Sequence, residues 1–397
     1  MRDVLLASSV RTPIGKFGGT LKDLSASDLA VPVVEEALKR AGVDPALIDE
    51  VIIGNARQAG GGPNVARQIS YRAHIPESVP AYTVNKACGS GLKAIILAAQ
   101  QIALGRAEAV VAGGTESMSR VPYLAEGARW GLKMGNVQLV DGMYRDGFLD
   151  PLSGQVMGET AETLARQYSI SRQEQDEYAL RSQQRAEAAE AEGRFRAEVF
   201  PVSIKDRKGN SVEFSTDEHV RRGATIDSMR KLPPVFSSEG TITAGNSSGI
   251  TDGAAALLVV SPDFAEAHSI RAQARLIDYE VAGVDPRVMG IGPVPAVRKL
   301  LERQGLALRD IDLVELNEAF AAQVIACDRE LGFDHGRLNV NGGAIALGHP
   351  IGCSGARIMT TLMHELERRK AKLGLATLCI SGGMGIAALV ERIPISS

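Results

Sequence analysis

The chain predicts a duplicated α/β fold with a loop domain inserted between the two copies, and three observations carry that reading. The first is a repeat with a period of 263 residues, in which Val31-Pro32-Val33-Val34-Glu35-Glu36-Ala37-Leu38-Lys39-Arg40-Ala41-Gly42 aligns with Val294-Pro295-Ala296-Val297-Arg298-Lys299-Leu300-Leu301-Glu302-Arg303-Gln304-Gly305. The match runs on without a gap through Ile48-Asp49-Glu50-Val51 and Ile311-Asp312-Leu313-Val314. Each copy reads as an amphipathic helix stopped by glycine, then Ile-Asp, then a strand. The second observation is that the correspondence continues: Asn85 to Leu92 matches Asn341 to Ala356 once an insertion is allowed, and Ala109 to Gly114 matches Ala376 to Gly383. The third is a change of texture from about Ser119 to Thr241, where short apolar pieces are broken by Gly and Pro. Residues 1–118 and 250–397 are therefore expected as two α/β halves, with residues 119–249 as the loop domain.

Composition narrows the function classes. At 397 residues the chain exceeds the size at which one hydrophobic core stops growing. A net charge of −3, with charges well mixed, favours neither nucleic acid nor an anionic membrane as partner. No apolar run reaches membrane-spanning length, and Met1 to Ala7 reads as a first strand and not as a signal peptide, so a cytoplasmic protein is expected. The 4 cysteines, Cys88, Cys327, Cys353 and Cys379, form no disulfide framework and no C-x-x-C pair, so no metal site is expected.

Taken in order, Ala81 to Val84 has strand character, and Leu92 to Leu104 is an almost wholly apolar run of helix formers. Cys88 falls between them, at a helix start whose free N–H groups and dipole favour a thiolate, with Lys86 adding charge and Gly89 and Gly91 letting another chain segment or a substrate approach the sulfur closely. In the insertion, Ser171 with Glu174 opens a long charged helix as a capping box, and Gly193 closes it. A hairpin is predicted over Pro201 to Phe214, turning at Lys208-Gly209-Asn210. Arg221 to Met229 mixes cationic, hydroxyl and apolar residues, suited either to an anionic ligand or to a solvated surface.

Three C-terminal turns carry reactive groups. Asn317 follows the strand at Val314, His349 is held between Gly348 and Pro350, and Cys379 ends a strand before the Gly-rich turn Ser381-Gly382-Gly383. Singly, Cys88 and Cys379 read as packing, His349 as a turn residue and Asn317 as a cap for a helix starting at Glu318. Together they supply a nucleophile, a base, a second thiol and an amide able to hold a water or an oxyanion, the set that carbon–carbon bond-forming acyl transfer requires.

With these motifs, and with Arg11 to Gly19 and the final Gly-rich strand, the chain resembles the thiolases over essentially its whole length. The resemblance implies a five-layered αβαβα fold and cleavage of 3-ketoacyl-CoA by CoA, or its reverse, a Claisen condensation of two acetyl-CoA. It implies Cys88 as acylated nucleophile, His349 as its base, Cys379 as acid–base for the α-carbon, Asn317 as holder of an oxyanion-hole water, and the amides of Cys88 and Ser381 as a second hole. It further implies coenzyme A contacts at Arg221, Ser228, Leu232 and Phe236, and at Ala244, Ser248 and Gly249 in Thr243 to Gly249. An acyl pocket is implied at Val156, Met157, Met289 and Phe320. Acetoacetyl-CoA-specific relatives carry His before the Met-Gly of the pocket loop where this chain has Val156, so four-carbon and somewhat longer substrates are expected. Coenzyme A enters as a substrate, with no further cofactor. Gly127 to Gly135, bearing Trp130, Leu132 and Met134, resembles the family's tetramerisation loop and implies a homotetramer. A decarboxylating ketoacyl synthase would not need Cys379, and a non-catalytic acyl-CoA or lipid carrier would have lost these four reactive side chains.

Overall fold

The computed structural model describes residues 2–205 and 208–394; Met1 of the expected first strand, and residues 206 and 207 of the expected hairpin, lie outside them. The first half contains β1 (Leu5–Arg11), β2 (Gly15–Lys16), α1 (Ala26–Ala41), β3 (Glu50–Gly54), α2 (Val65–Arg72), β4 (Ala81–Val84), α3 (Ser90–Ala103) and β5 (Ala109–Ser117). The insertion holds β6 (Tyr123–Leu124), β7 (Val140–Asp141), α4 (Met157–Gln167), α5 (Arg172–Ala191), the hairpin β8 (Val202–Lys205) and β9 (Ser211–Phe214), and α6 (Ile226–Arg230). There follow β10 (Thr251–Val260), α7 (Pro262–Ala267), β11 (Ala272–Gly283), α8 (Pro293–Gln304), β12 (Leu313–Leu316), α9 (Ala321–Leu331), α10 (Ala344–Leu347), α11 (Ile351–Arg369), β13 (Leu373–Ile380) and β14 (Met384–Arg392). Among the described residues no helix is long and apolar enough to cross a membrane.

Ten strands form one sheet in the order β12-β13-β14-β11-β1-β10-β5-β3-β4, with β2 beside β10. Antiparallel pairing of β1 with β11 joins the two halves. Helices α1 and α2 cover one face of the first half, α8 and α9 one face of the second, and α3 and α11 pack together between the remaining faces. This is the expected five-layered αβαβα arrangement. Strands β5 and β10 are buried throughout, in keeping with their near-continuous apolar sequence.

The duplication is physical. Helices α1 and α8 end on Gly42 and Gly305, at φ 66 and 65, the left-handed conformation that favours glycine. The repeated Ile-Asp has a purpose: Asp49 Oδ2 accepts the amides of Glu108 and Ala109 at 2.7 and 3.0 Å, and Asp312 Oδ2 accepts those of Lys372 and Leu373 at 2.9 and 2.8 Å. Each carboxylate ties the start of its half's neighbouring strand.

Two expectations are corrected. Residues 251–260, assigned to the C-terminal half by the boundary at 250, lie in the first half's sheet between β1 and β5, paired from Asp252↔Ser117 to Val260↔Ala109. The insertion interrupts a β5–β10 hairpin whose counterpart, β13–β14, closes through residues 381–383. Gly113 and Gly114 do not match Gly382 and Gly383 either, because Val51↔Val111 and Val314↔Leu375 set Gly113 against Thr377. Inside β5 these glycines admit neighbouring backbone: a Cβ on Gly114 would lie 2.2 Å from the Gly352 carbonyl oxygen. The capping box of α5 forms as expected, Ser171 and Glu174 bonding reciprocally.

Candidate active site

A cavity of about 240 Å³ brings together Cys88, His349, Cys379 and Ser381 with the whole expected acyl pocket, Val156, Met157, Met289 and Phe320. Phe236, Ser248 and Gly249 line it as well. Phe236 meets Phe320 edge-on, with centroids 6.3 Å apart.

Cys88 precedes Gly89, the N-cap of α3, so the helix begins at Ser90 and not at Leu92. The turn is pinned by Ser90, whose hydroxyl accepts the Lys86 amide at 2.8 Å and donates to the Ala87 carbonyl at 2.6 Å. Ala87 is held at φ 44, a conformation non-glycine residues adopt only when their surroundings impose it. Of the two expected reasons for Gly89 and Gly91, the close approach of another chain segment is the one seen: a Cβ on Gly89 would lie 2.6 Å from Ile380, and one on Gly91 would lie 2.8 Å from the Ala356 nitrogen. Lys86 turns its ammonium to the Met384 sulfur at 3.6 Å. The expected lowering of the Cys88 pKa is reversed. Burial pushes it above the ordinary thiol value, against the opposing pull of Arg57 and of the backbone N–H groups of Ser381 and Cys88 itself, while Glu116 pushes the same way as burial.

His349 is buried, and its backbone N–H donates to the Gly249 carbonyl at 3.0 Å. Its Nδ1 lies 2.5 Å from Ser354 Oγ, and that hydroxyl is 2.9 Å from the Pro350 carbonyl. A hydroxyl has one hydrogen, and the carbonyl can only accept, so the hydroxyl donates to Pro350 and accepts Nδ1–H. Nε2 is left with its lone pair. Burial first, then Arg357 and Arg57, lower the His349 pKa to about 3, so the imidazole is neutral at neutral pH. Asn317 Nδ2 lies 3.5 Å from Nε2, and Asn317 Oδ1 is buried with no hydrogen-bond partner among the described residues. The helix after Asn317 starts only at Ala321, which removes the capping reading.

Cys379, fully buried at the end of β13, has its pKa pushed well up by burial and by Cys88 and Cys327. At neutral pH the site therefore holds two neutral thiols and a neutral imidazole. Cys327 and Cys353 are buried in the hydrophobic clusters around α9 and α11.

Four expected coenzyme A residues lie outside this cavity. Arg221 donates to the Ala244 carbonyl at 2.7 Å, and Leu232 reaches the face of Gly245, so Arg221, Leu232 and Ala244 gather in one place. Ser228 spends its hydroxyl on the Thr225 carbonyl at 2.6 Å. Arg222 is paired with Glu190, as the surface reading has it.

Sequence reasoning missed Ser354, Arg57 and Glu116. Ser354 carried a signal, five residues after His349 on the helix that follows Pro350. Glu116 is buried, and burial raises its pKa; its oxygens accept the amides of Ala56, Arg57 and Gly352 and the side-chain amide of Asn55 at 2.7–3.1 Å. It thereby fastens the N-terminus of α11 to the loop after β3.

A duplicated α/β scaffold that closes a thiol, an imidazole and a second thiol around one apolar cavity defines a thioester-handling acyltransferase. The chain belongs to the thiolase family: the thiolase N-terminal domain matches residues 4–263 and the thiolase C-terminal domain residues 270–392. It is 52% identical to an acetyl-CoA acetyltransferase of Cupriavidus necator, over 99% of this chain and 100% of that one. The crystal structure of the Bacillus anthracis acetyl-CoA acetyltransferase superposes with a TM-score of 0.96 at 46% identity, covering 99% of both chains. Human mitochondrial 3-ketoacyl-CoA thiolase in complex with CoA gives 0.95 at 44% identity, over 99% of this chain and 98% of that one.

Proposed function

We propose that this thiolase cleaves 3-ketoacyl-CoA with CoA, and runs in reverse, through an acyl group carried on Cys88. The observation that carries the reading is the convergence of Cys88, His349, Cys379 and Ser381 on one cavity. His349 Nε2 takes the Cys88 proton as the sulfur attacks the 3-keto carbon, a transfer between neutral partners that creates charge only as the bond forms. The N–H groups that face the Cys88 sulfur are aimed where a thioester oxygen gains charge, and Asn317 beside His349 holds the water of the other hole. Breaking the C2–C3 bond releases the acetyl-CoA carbanion, which takes its proton from the Cys379 thiol. CoA then gives its thiol proton to the Cys379 thiolate and takes the acyl group, and the released Cys88 sulfur recovers its proton from His349. Coenzyme A reaches the cavity past Phe236, Ser248 and Gly249, with Arg221, Ser228, Leu232 and Ala244 along the outer approach.

The cavity's apolar wall at Val156 suits four-carbon and somewhat longer acyl chains. We place the enzyme in the cytoplasm as a homotetramer: Trp130, Leu132 and Met134 are 86%, 55% and 98% exposed on one loop, which a partner would cover. Sedimentation as a monomer at micromolar concentration would refute the assembly. The deciding experiment for the reaction is the absorbance of acetoacetyl-CoA with and without CoA, alongside the intact mass of the protein. CoA-dependent loss with an acetyl adduct on Cys88 is expected; tight binding without turnover would overturn the reading.

A further inference from the structure

A second cavity, of about 570 Å³, opens at the far end of α11 from the catalytic one. Helix α11 starts at Ile351 in the catalytic wall, and His364, Glu367 and Arg368 bring its last turns to the second cavity. At about 1.5 Å of rise per residue, Ser354 and His364 stand roughly 15 Å apart along the axis. None of the expected coenzyme A contacts lines this cavity. Its wall includes an irregularity in β1. Ser8 is held at φ 54, and the pairing with β10 steps from Ala7↔Leu258 to Val10↔Ala256, so β1 carries one extra residue there. Side chains of other elements take over the freed backbone: the Ser9 N–H donates to Gln273 Oε1 at 2.8 Å, and the Ser9 carbonyl accepts from His364 Nε2 at 2.9 Å. Ser9 is 1% exposed, and its hydroxyl has no hydrogen-bond partner among the described residues. A left-handed non-glycine residue next to a buried, unsatisfied hydroxyl is costly to keep, and such features gather where ligands bind.

Five arginines line the cavity, Arg40, Arg194, Arg196, Arg271 and Arg368, against two carboxylates, Glu192 and Glu367. Glu192 pairs with Arg194 and Glu367 with Arg271. Carboxylates behind the wall do not close the difference, because Glu36 serves Lys39 as well as Arg40, and Glu365 serves Arg369 as well as Arg368. Arg196 has no ion-pair partner among the described residues: Glu198 and Asp217 are held by Arg11, and Glu190 by Arg222. Its side chain lies over Gly193, also in the cavity wall, where an added Cβ would sit 2.8 Å from Nε. The cavity therefore combines unmatched positive charge with a free hydroxyl, and guanidinium and hydroxyl groups are the donors that phosphate oxygens take. His364 adds an acceptor in Nδ1, since its proton is on Nε2, and a ligand hydroxyl would suit it. We infer that this cavity binds a small phosphate-bearing molecule, with its phosphoryl group between Arg196 and the Ser8–Ser9 bulge.

The test titrates the full chain with inorganic phosphate, ribose 5-phosphate and ribose at constant ionic strength, by calorimetry, in wild type, Arg196→Gln and Ser9→Ala. Brief phenylglyoxal treatment followed by mass spectrometry shows which arginines each ligand covers. Loss of a charge-assisted contact predicts a Kd weaker by about tenfold or more in Arg196→Gln, with a smaller loss in Ser9→Ala, and protection of Arg196 in the wild type. Tighter binding of ribose 5-phosphate than of inorganic phosphate would identify the ligand as an ester and the reverse order as the free anion, and either supports the site. The inference is overturned if neither phosphate binds, if ribose or chloride at equal concentration does as well, or if neither substitution changes Kd. Protection of Arg221 without Arg196 would also overturn it, by placing the phosphate on the coenzyme A approach. Arg196 is exposed, so Arg196→Gln keeps the fold, which an unchanged melting temperature verifies.

Discussion

Replacing Ser354 with alanine isolates the orientation of His349 from the rest of the site. Ser354 is 1% exposed, and its hydroxyl bridges Nδ1 of His349 at 2.5 Å and the Pro350 carbonyl at 2.9 Å. The carbonyl survives the change, since it still accepts the amides of Cys353 and residue 354, each at 2.9 Å. The imidazole does not. Its Nδ1–H loses its acceptor, and an unpaired buried donor costs about 1–3 kcal/mol. The ring relieves that cost by moving its proton to Nε2, a tautomer that cannot take a proton from Cys88. Since each ~1.4 kcal/mol is a factor of ten in rate, kcat should fall about ten- to a hundredfold, with KM changing less than about twofold. Single-turnover acylation of Cys88 by acetoacetyl-CoA should slow in parallel. A kcat within about threefold of wild type alongside a lowered melting temperature would show that Ser354 supports the fold alone and would refute the tautomer argument.

Because burial raises the Cys88 pKa, iodoacetamide alkylation of Cys88 should keep accelerating as pH rises beyond the ordinary thiol range; a plateau already reached at neutral pH would mean a resting thiolate. Burial raises Glu315 from 4.5 to about 8, despite Arg357 at 3.5 Å. The folded state then holds a proton that the unfolded chain releases, so wild-type stability falls as pH climbs through that window. The melting temperature of Glu315→Gln relative to wild type should accordingly rise between about pH 5 and about pH 8, and a constant difference would refute the buried neutral carboxyl. Val156→His should narrow the acyl pocket: at about 0.8 kcal/mol per buried methylene, the preference for each added methylene should fall by up to about fourfold, read as kcat/KM on four- to ten-carbon substrates. Identical profiles for the two proteins would show that position 156 does not set chain length.

Much of the fold could be read from the chain because its signals are local. The glycines that stop α1 and α8, the Ile-Asp pair after each, and the Ser171–Glu174 box all act within a few residues of themselves. Cys88, His349 and Cys379 were legible for a related reason, each standing at a turn whose neighbours announce it. What escaped depends on contacts distant in sequence. The place of β10 follows from pairing with strands about 140 and 250 residues away, from Ser117↔Asp252 and Leu5↔Val260. The raised Cys88 pKa cannot be read from the chain because a helix start is visible in sequence while enclosure of the sulfur is not. Arg57 after β3 and Glu116 near the end of β5 carry no local signal, and only the approach of Gly147 to the first and of α11 to the second gives them their meaning.

The hairpin interrupted by the insertion sets an order of assembly. β13 and β14, joined by three residues, can zip as soon as both exist, since closing so short a loop costs little chain entropy. β5 is ready early in synthesis but has no antiparallel partner until Val260 has emerged, and β1 waits for the same strand. Through that interval the first half exposes the two long apolar edges that will flank β10, the kind of surface that recruits other chains. The insertion that walls the site thus also sets the longest delay in making the protein. Shortening it, or supplying β10 earlier by circular permutation, should speed refolding more than any change in the second half.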